Sequence, residues 1–211
     1  MPARGKFITV EGVDGAGKSS HLQFIADLAG GKGAGTAAPG RHVIVTREPG
    51  GTDLAERLRK SILEEPMPPL AETLLLFAAR TDHVQKVIAP ALAAGTWVVS
   101  DRFTDATLAY QGAGKGVPED LIRRLAQAVH AGLAPDRTLV FDCPYDIARE
   151  RLAGSGRSLD RFEREERAFH ERVRNAYLAL ARAEPARIRI VDASGDFAGV
   201  RKALERELSG L

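Results

Sequence analysis

Residues Gly12-Val13-Asp14-Gly15-Ala16-Gly17-Lys18-Ser19 fit the spacing G-x-x-x-x-G-K-[ST], a pattern that works only where a strand runs into a helix. The flanks meet that condition: Phe7–Glu11 reads as a strand, and Lys18–Ala29 as a helix. The glycines let backbone N–H groups turn inward around phosphate oxygens, and the helix N-terminus adds positive potential. Lys18 reaches the terminal phosphates, and the Ser19 hydroxyl is suited to holding Mg²⁺. The expected phosphate-binding set is Gly12, Val13, Asp14, Gly15, Ala16, Gly17, Lys18, Ser19 and Ser20.

Beyond the loop, short β-branched runs alternate with longer helical patterns, the signature of a parallel sheet wrapped by crossover helices. The other expected strands are His42–Thr46, Trp97–Asp101, Thr138–Asp142 and Arg187–Asp192, nearly continuous in apolar character as suits strands covered on both faces. The other expected helices are Leu54–Leu63, Leu70–Leu92, Glu119–His130, Asp146–Leu152, Arg161–Arg182 and Phe197–Leu208, with Pro90 kinking or ending the third of the seven. Leu70–Leu92 is apolar around much of its circumference near Leu74-Leu75-Leu76-Phe77, so it is either deeply buried or covered by a second subunit. At 211 residues, 44% hydrophobic and 27% charged, the chain suits one α/β domain over 1–211 with a single core. Two glycine-rich segments read as flexible: a surface loop over 30–40 and a lid over about 151–161.

Composition excludes several classes. A net charge of +2 is too small for the electrostatic footprint of a nucleic-acid binder, and no apolar run is long enough to span a membrane. The start MPARGKFITVEG leaves no room for a secretory signal, and Cys143 stands alone. Together these point to the cytoplasm. The five histidines form no His-x-x-x-His pair, so a structural zinc site is unsupported. Guanine-specific GTPases commonly read the base with Asn-Lys-x-Asp, whereas the one asparagine here, Asn175, sits in a charged helix. A motor ATPase needs added domains for which there is no length. A small-molecule kinase remains, with a non-catalytic ATP-binding module as the alternative from another class.

Four further motifs follow in order: Thr46-Arg47-Glu48-Pro49-Gly50-Gly51-Thr52, Phe77-Ala78-Ala79-Arg80, Asp101-Arg102-Phe103 and Ala109-Tyr110-Gln111-Gly112, ahead of the ending Leu159–Glu163. With the phosphate loop they resemble the thymidylate kinase family over about residues 6 to 195. The resemblance implies a three-layer α/β/α fold with a five-stranded parallel sheet in the order 2-3-1-4-5. It also implies a homodimer that transfers the γ-phosphoryl group of ATP to dTMP with the help of Mg²⁺; a kinase for another nucleotide or nucleoside is the nearest alternative.

By the same resemblance, Asp14 takes the deoxyribose 3′-OH, Arg47 and Arg102 clamp the acceptor 5′-phosphate, and Phe77 stacks on thymine. Arg80, Thr107 and Gln111 reach the base edge, Tyr110 crowds the position of a 2′-OH, and Asp101 organises Mg²⁺ together with Ser19. Read alone, Phe77 in its apolar helix is a core residue; only the family spacing assigns it to the base. In some family members an arginine follows the loop aspartate, but here that position is Gly15, so the charge built up during transfer falls to a lid arginine. Arg157 is the first choice and Arg151 the next, with Arg149 and Arg161 also flanking the segment.

Overall fold

The computed structural model describes residues 3–32, 40–154, 156 and 160–211. Its centre is a five-stranded, all-parallel sheet in the order β2-β3-β1-β4-β5 with helices on both sides, as expected. The strands are β1 (Phe7–Gly12), β2 (Val43–Arg47), β3 (Trp97–Asp101), β4 (Arg137–Asp142) and β5 (Ile188–Asp192). Central β1 is buried along its whole length. Ile8 and Val10 join a cluster with Ile25, Leu139 and Phe141, while Phe7 joins another with Ile88, Leu92 and Phe103. Register pairs Val10 with Asp101 and Gly12 with Phe141, so the phosphate loop leaves β1 beside the ends of β3 and β4. Ligands bind at such carboxyl ends in open α/β sheets.

Most helices lie where hydrophobic spacing puts them: α1 (Leu22–Ala29), entered through a 3₁₀ turn at Lys18–Ser20, and α2 (Asp53–Glu64), whose Thr52 cap accepts from the Ala55 amide. α3 (Pro69–His83) follows, then α4 (Ala89–Ala93), α6 (Glu119–His130), α7 (Tyr145–Ala153), α8 (Arg167–Ala183) and α9 (Phe197–Leu208).

Three local readings need correction. The expected helix over 70–92 is regular only to His83: a π-helical turn at Val84–Ile88 follows, directly before Pro90 in the first turn of α4, so the regular part ends ahead of the proline as expected while the chain stays helical. α8 begins at Arg167, not Arg161, because Asp160 Oδ1 accepts from the amides of Phe162 (2.9 Å) and Glu163 (3.0 Å) and turns the chain there. Third, Thr104–Gly114 is helical although no helix was expected: α5 (Thr104–Thr107) opens into a wide π-helical stretch at Leu108–Gly114. Of the expected loop over 30–40, residues 33–39 lie outside the described residues.

Candidate active site

The loop after β1 closes through two left-handed glycines, Gly15 (φ 82°) and Gly17 (φ 87°). A Cβ on Gly15 would lie 2.3 Å from the Ala148 carbonyl oxygen, so the position excludes every side chain, arginine included. Val13 and Ala16 bury their side chains in the core and offer the loop only their backbone. Lys18 is buried, and its Nζ donates to the carbonyls of Gly12 and Val13, each at 3.0 Å. Burial and Arg102 lower its pKa, while Asp14, Asp101 and Glu11 pull the other way. In front of the loop lies a cavity of about 590 Å³ lined by Asp14, Gly15, Gly17, Lys18, Ser19, Ser20, Arg47, Asp101, Arg102 and Arg151, among others.

Two oxygens on this cavity suit Mg²⁺: the Ser19 hydroxyl and Asp101 Oδ1, which is buried without a hydrogen-bond partner. Among the described residues no group of three or more His, Cys, Asp or Glu side chains could hold a metal. Mg²⁺ characteristically takes one or two protein oxygens, several waters and substrate phosphates, so the donor set fits.

A second cavity adjoins the first, and Asp14, Glu48, Arg59, Arg102 and Asp160 line both. Arg102 stands at the junction. Its Nη2 donates to Asp14 Oδ1 (2.5 Å) and the Tyr110 hydroxyl (3.0 Å), and its Nη1 to the Gly12 carbonyl (3.1 Å) and the Tyr177 hydroxyl (3.3 Å). Tyr110 in turn donates to Asp14 Oδ2 at 2.9 Å. Arg102 is also the single non-glycine residue with positive φ (71°) among those described, a conformation that costs about 1–2 kcal/mol.

The inner end of the second cavity is built around Arg80. Its Nε donates to Glu48 Oε2 (2.6 Å), and its Nη2 to the Phe103 carbonyl and Thr107 Oγ1 (both 3.1 Å). Its Nη1 is buried with no partner. Glu48 is braced from behind by His83 (2.9 Å), whose other ring nitrogen meets Thr46 at 2.7 Å. Gln111 lines the cavity, but its Nε2 donates to Glu72 at 2.7 Å, so its amide is partly engaged.

Phe77 does not line this cavity. It is buried in a cluster with Val117 and Ile122, and the residues of α3 that line the pocket are its neighbour Leu76 and Arg80. A helix turns about 100° per residue, so one position separates pocket wall from core. Arg47 is half-exposed beside the phosphate cavity and pairs with Glu56 at 2.9 Å.

The arginines of the expected lid segment divide. Arg151 reaches the β5–α9 loop, donating to the carbonyls of Ala193 (2.8 Å) and Gly195 (3.1 Å), and a Cβ on Gly17 would lie 3.8 Å from its Nη1. Arg161 turns to the acceptor side, bonding the Ile62 carbonyl (2.6 Å) and the buried Glu72 carboxylate. Arg149 donates to the Glu163 carbonyl, and Arg157 lies outside the described residues.

Among the residues of the second cavity that sequence reasoning missed, besides Leu76, are Arg59, Phe162 and Pro49. Arg59 lines both cavities and donates to the Pro49 carbonyl at 2.9 Å; its signal was its place on the inner face of α2, four residues after buried Ala55 and three before Ile62. Phe162 lines the acceptor cavity because the Asp160 turn frees it from α8, with the Lys115 ammonium 4.4 Å and the Arg161 guanidinium 4.6 Å from its ring centre. Pro49 lies on the wall after a cis bond from Glu48.

A phosphate loop at the end of β1, facing a half-apolar pocket across a partly buried arginine–aspartate pair, defines a kinase that hands a phosphoryl group to a small acceptor. Residues 10–204 match the family described as thymidylate kinase. The thymidylate kinase of Bordetella petrii is 55% identical over 211 residues, which cover all of this chain and 98% of that protein. That of Burkholderia lata is 52% identical, covering 99% of this chain and 100% of its own. Among solved structures, the thymidylate kinase from Ehrlichia chaffeensis superposes with a TM-score of 0.75 at 30% identity, covering 97% of this chain and 98% of that one. The chain belongs to the thymidylate kinase family.

Proposed function

We propose that this member of the family transfers the γ-phosphoryl group of ATP to dTMP, giving ADP and dTDP, as a single domain with the donor phosphates in the loop cavity and the acceptor in the pocket around Arg80. The observation that carries the reading is the unpartnered, buried Nη1 of Arg80 on a pocket that also holds Thr107 and Leu76: a fixed donor beside an apolar wall, as a methylated pyrimidine requires. Arg102 receives the acceptor phosphate and Asp14 the sugar hydroxyl, with Tyr110 against the sugar. Arg102, Lys18 and Arg47 offset the charge that two anions bring together. Ser19 and Asp101 would hold Mg²⁺, which would add charge neutralisation on the donor phosphates. Asp101 does not need to act as a base, because a monophosphate oxygen is already largely ionised at neutral pH.

No described helix is long and apolar enough to cross a membrane. The lone Cys143 and the small net charge support a cytoplasmic enzyme working on small molecules rather than on nucleic acid. Leu54, Leu70 and Leu74, between 39% and 49% exposed on α2 and α3, support a homodimer.

The test is ADP release with dTMP, dUMP, dCMP, dGMP and no acceptor. Turnover greatest with dTMP is expected, with dUMP lower by about 10- to 200-fold, the range for a pocket that distinguishes a single methyl group. Equal turnover on dCMP, or none on any acceptor, would refute the assignment.

A further inference from the structure

Glu11 is wholly buried at the end of β1 and lines neither cavity, yet it touches the acceptor arginine's surroundings twice. Its Oε1 accepts from the Phe103 amide at 2.7 Å, and its Oε2 from the Tyr177 hydroxyl at 2.8 Å. Phe103 follows Arg102, whose left-handed backbone is held by three hydrogen bonds: Arg102 N to the Val10 carbonyl (2.9 Å), Ser100 Oγ to the Arg102 carbonyl (2.8 Å), and the bond to Glu11. Tyr177, reaching in from α8, is also the acceptor for Arg102 Nη1. One carboxyl group therefore fixes the strained backbone of Arg102 on one side and aims its guanidinium on the other.

We infer that Glu11 and Tyr177 are positioning residues for acceptor binding, holding Arg102 in the orientation that receives the acceptor phosphate. The inference rests on the reading of Arg102 as the acceptor-phosphate arginine. An apolar side chain of similar length would fill the same space but leave the Phe103 amide and the Tyr177 hydroxyl without this partner. Burial and the nearby Asp105 carboxylate push the Glu11 carboxyl up to about 8, against Arg102, Tyr177 and the Phe103 amide. So costly a group in the core is more common beside functional sites than in plain packing. Its two contacts survive protonation: one oxygen keeps the Phe103 amide, and the other donates to Tyr177 instead of accepting.

The experiment compares the parent with Tyr177→Phe, Glu11→Met, Glu11→Gln and Arg102→Ala, measuring KM for dTMP at saturating ATP, KM for ATP at saturating dTMP, and thermal midpoints. Tyr177→Phe and Glu11→Met are expected to raise the dTMP KM about tenfold, the usual effect of losing one hydrogen bond to a charged group, with the ATP KM within about twofold. Glu11→Gln, which offers one acceptor to the amide and one donor to Tyr177, is expected to recover most of the loss near neutral pH. If Tyr177→Phe and Glu11→Met lower the melting midpoint but leave dTMP KM and kcat within about twofold, while Arg102→Ala is impaired, the residues merely pack and the inference is wrong. An unimpaired Arg102→Ala would instead overturn the reading of Arg102 itself, and this inference with it. Should Glu11→Met fail to fold, Tyr177→Phe decides alone.

Discussion

Asp14 and Glu11 stand three positions apart on one chain, Glu11 buried and Asp14 partly so, and their surroundings drive them in opposite directions. Burial alone would raise Asp14, but Arg102, Lys18 and hydrogen bonds from Tyr110 and Arg102 bring it down to about 2. Glu11 has weaker compensation and rises to about 8. The consequences for stability have opposite signs. Asp14 binds its proton less tightly folded than unfolded, so its contribution is present above pH 3.8 and fades as pH falls through about 2. Glu11 binds its proton more tightly folded, so stability declines as pH rises from about 4.5 to about 8. Glu11→Gln removes that decline: its thermal midpoint relative to the parent is expected to improve steadily between pH 5 and pH 8. A gap independent of pH would show that the Glu11 carboxyl is not raised. On α3, the same one-residue resolution separates Leu76 from Phe77. Leu76→Ala is expected to raise the dTMP KM about tenfold, because the pocket loses an apolar contact worth about 1.5 kcal/mol. Phe77→Ala is expected to lower folding stability by about 3–5 kcal/mol and to change the dTMP KM by less than about threefold. Kinetics and chemical denaturation of the two variants, run side by side, check the pair, and the reverse pattern would return the base-stacking role to Phe77.

Apart from the phosphate loop, elements whose role is to bury an apolar stripe were legible in the sequence, whereas those that present polar groups were not legible as elements. The five strands announced themselves through β-branched runs, and the phosphate loop through a spacing that only one chemistry demands. Thr104–Gly114 escaped because Asp105, Thr107 and Gln111 are polar residues buried by the tertiary structure, and a π-helical stretch breaks the 3.6-residue period. The late start of α8 escaped for a related reason: the hydrogen bonds from Asp160 outweigh the helical tendency of Arg161–Glu166, and no periodicity records them. That turn sets apart the two arginines, Arg151 and Arg161, at the ends of the expected lid segment. Arg151 is tied to the β5–α9 loop above the phosphate loop, whereas Arg161 is tied to Glu72 and so holds Phe162 at the acceptor pocket, with Lys115 on the same carboxylate. The two arginines are therefore expected to fail differently. Arg151→Ala should raise the ATP KM and lower kcat by roughly 10²-fold, as for the loss of one preorganised charge at a transfer site. Arg161→Ala should raise the dTMP KM about tenfold and leave the ATP KM unchanged. The measurement is the full two-substrate rate surface for each variant, and matching changes in both constants for both variants would reject this division of the lid.

At the scale of the whole molecule, the helices that wall the proposed acceptor pocket also carry three of the six exposed large apolar side chains among the described residues, Leu54, Leu70 and Leu74. On α3, Leu76 and Arg80 face the cavity while Leu70 and Leu74, 48% and 49% exposed, lie one helical turn apart on another face. α2 packs against α3, sending Arg59 inward and leaving Leu54 39% exposed. The edge strands β2 and β5 add exposed Val45 and Ile190, and α9 adds Phe197, 49% exposed, but each presents a single such residue rather than a row. The pair on α3 is thus the surface that a second copy would cover, meeting like residues across a two-fold axis. Because pocket and exposed face share one helix, assembly and acceptor binding should be coupled: covering Leu70 and Leu74 steadies the helix that presents Leu76 and Arg80. Leu74→Glu places a charge on that face, at a position half open to solvent where the isolated chain has little to lose. Sedimentation velocity is expected to show the parent as a dimer and the variant as a monomer at micromolar concentration. The variant's dTMP KM is expected to rise several-fold, with the ATP KM little changed. A parent that sediments as a monomer, or a Leu74→Glu dimer, would rule out this face. A monomeric variant with unaltered dTMP kinetics would keep the interface and remove the coupling.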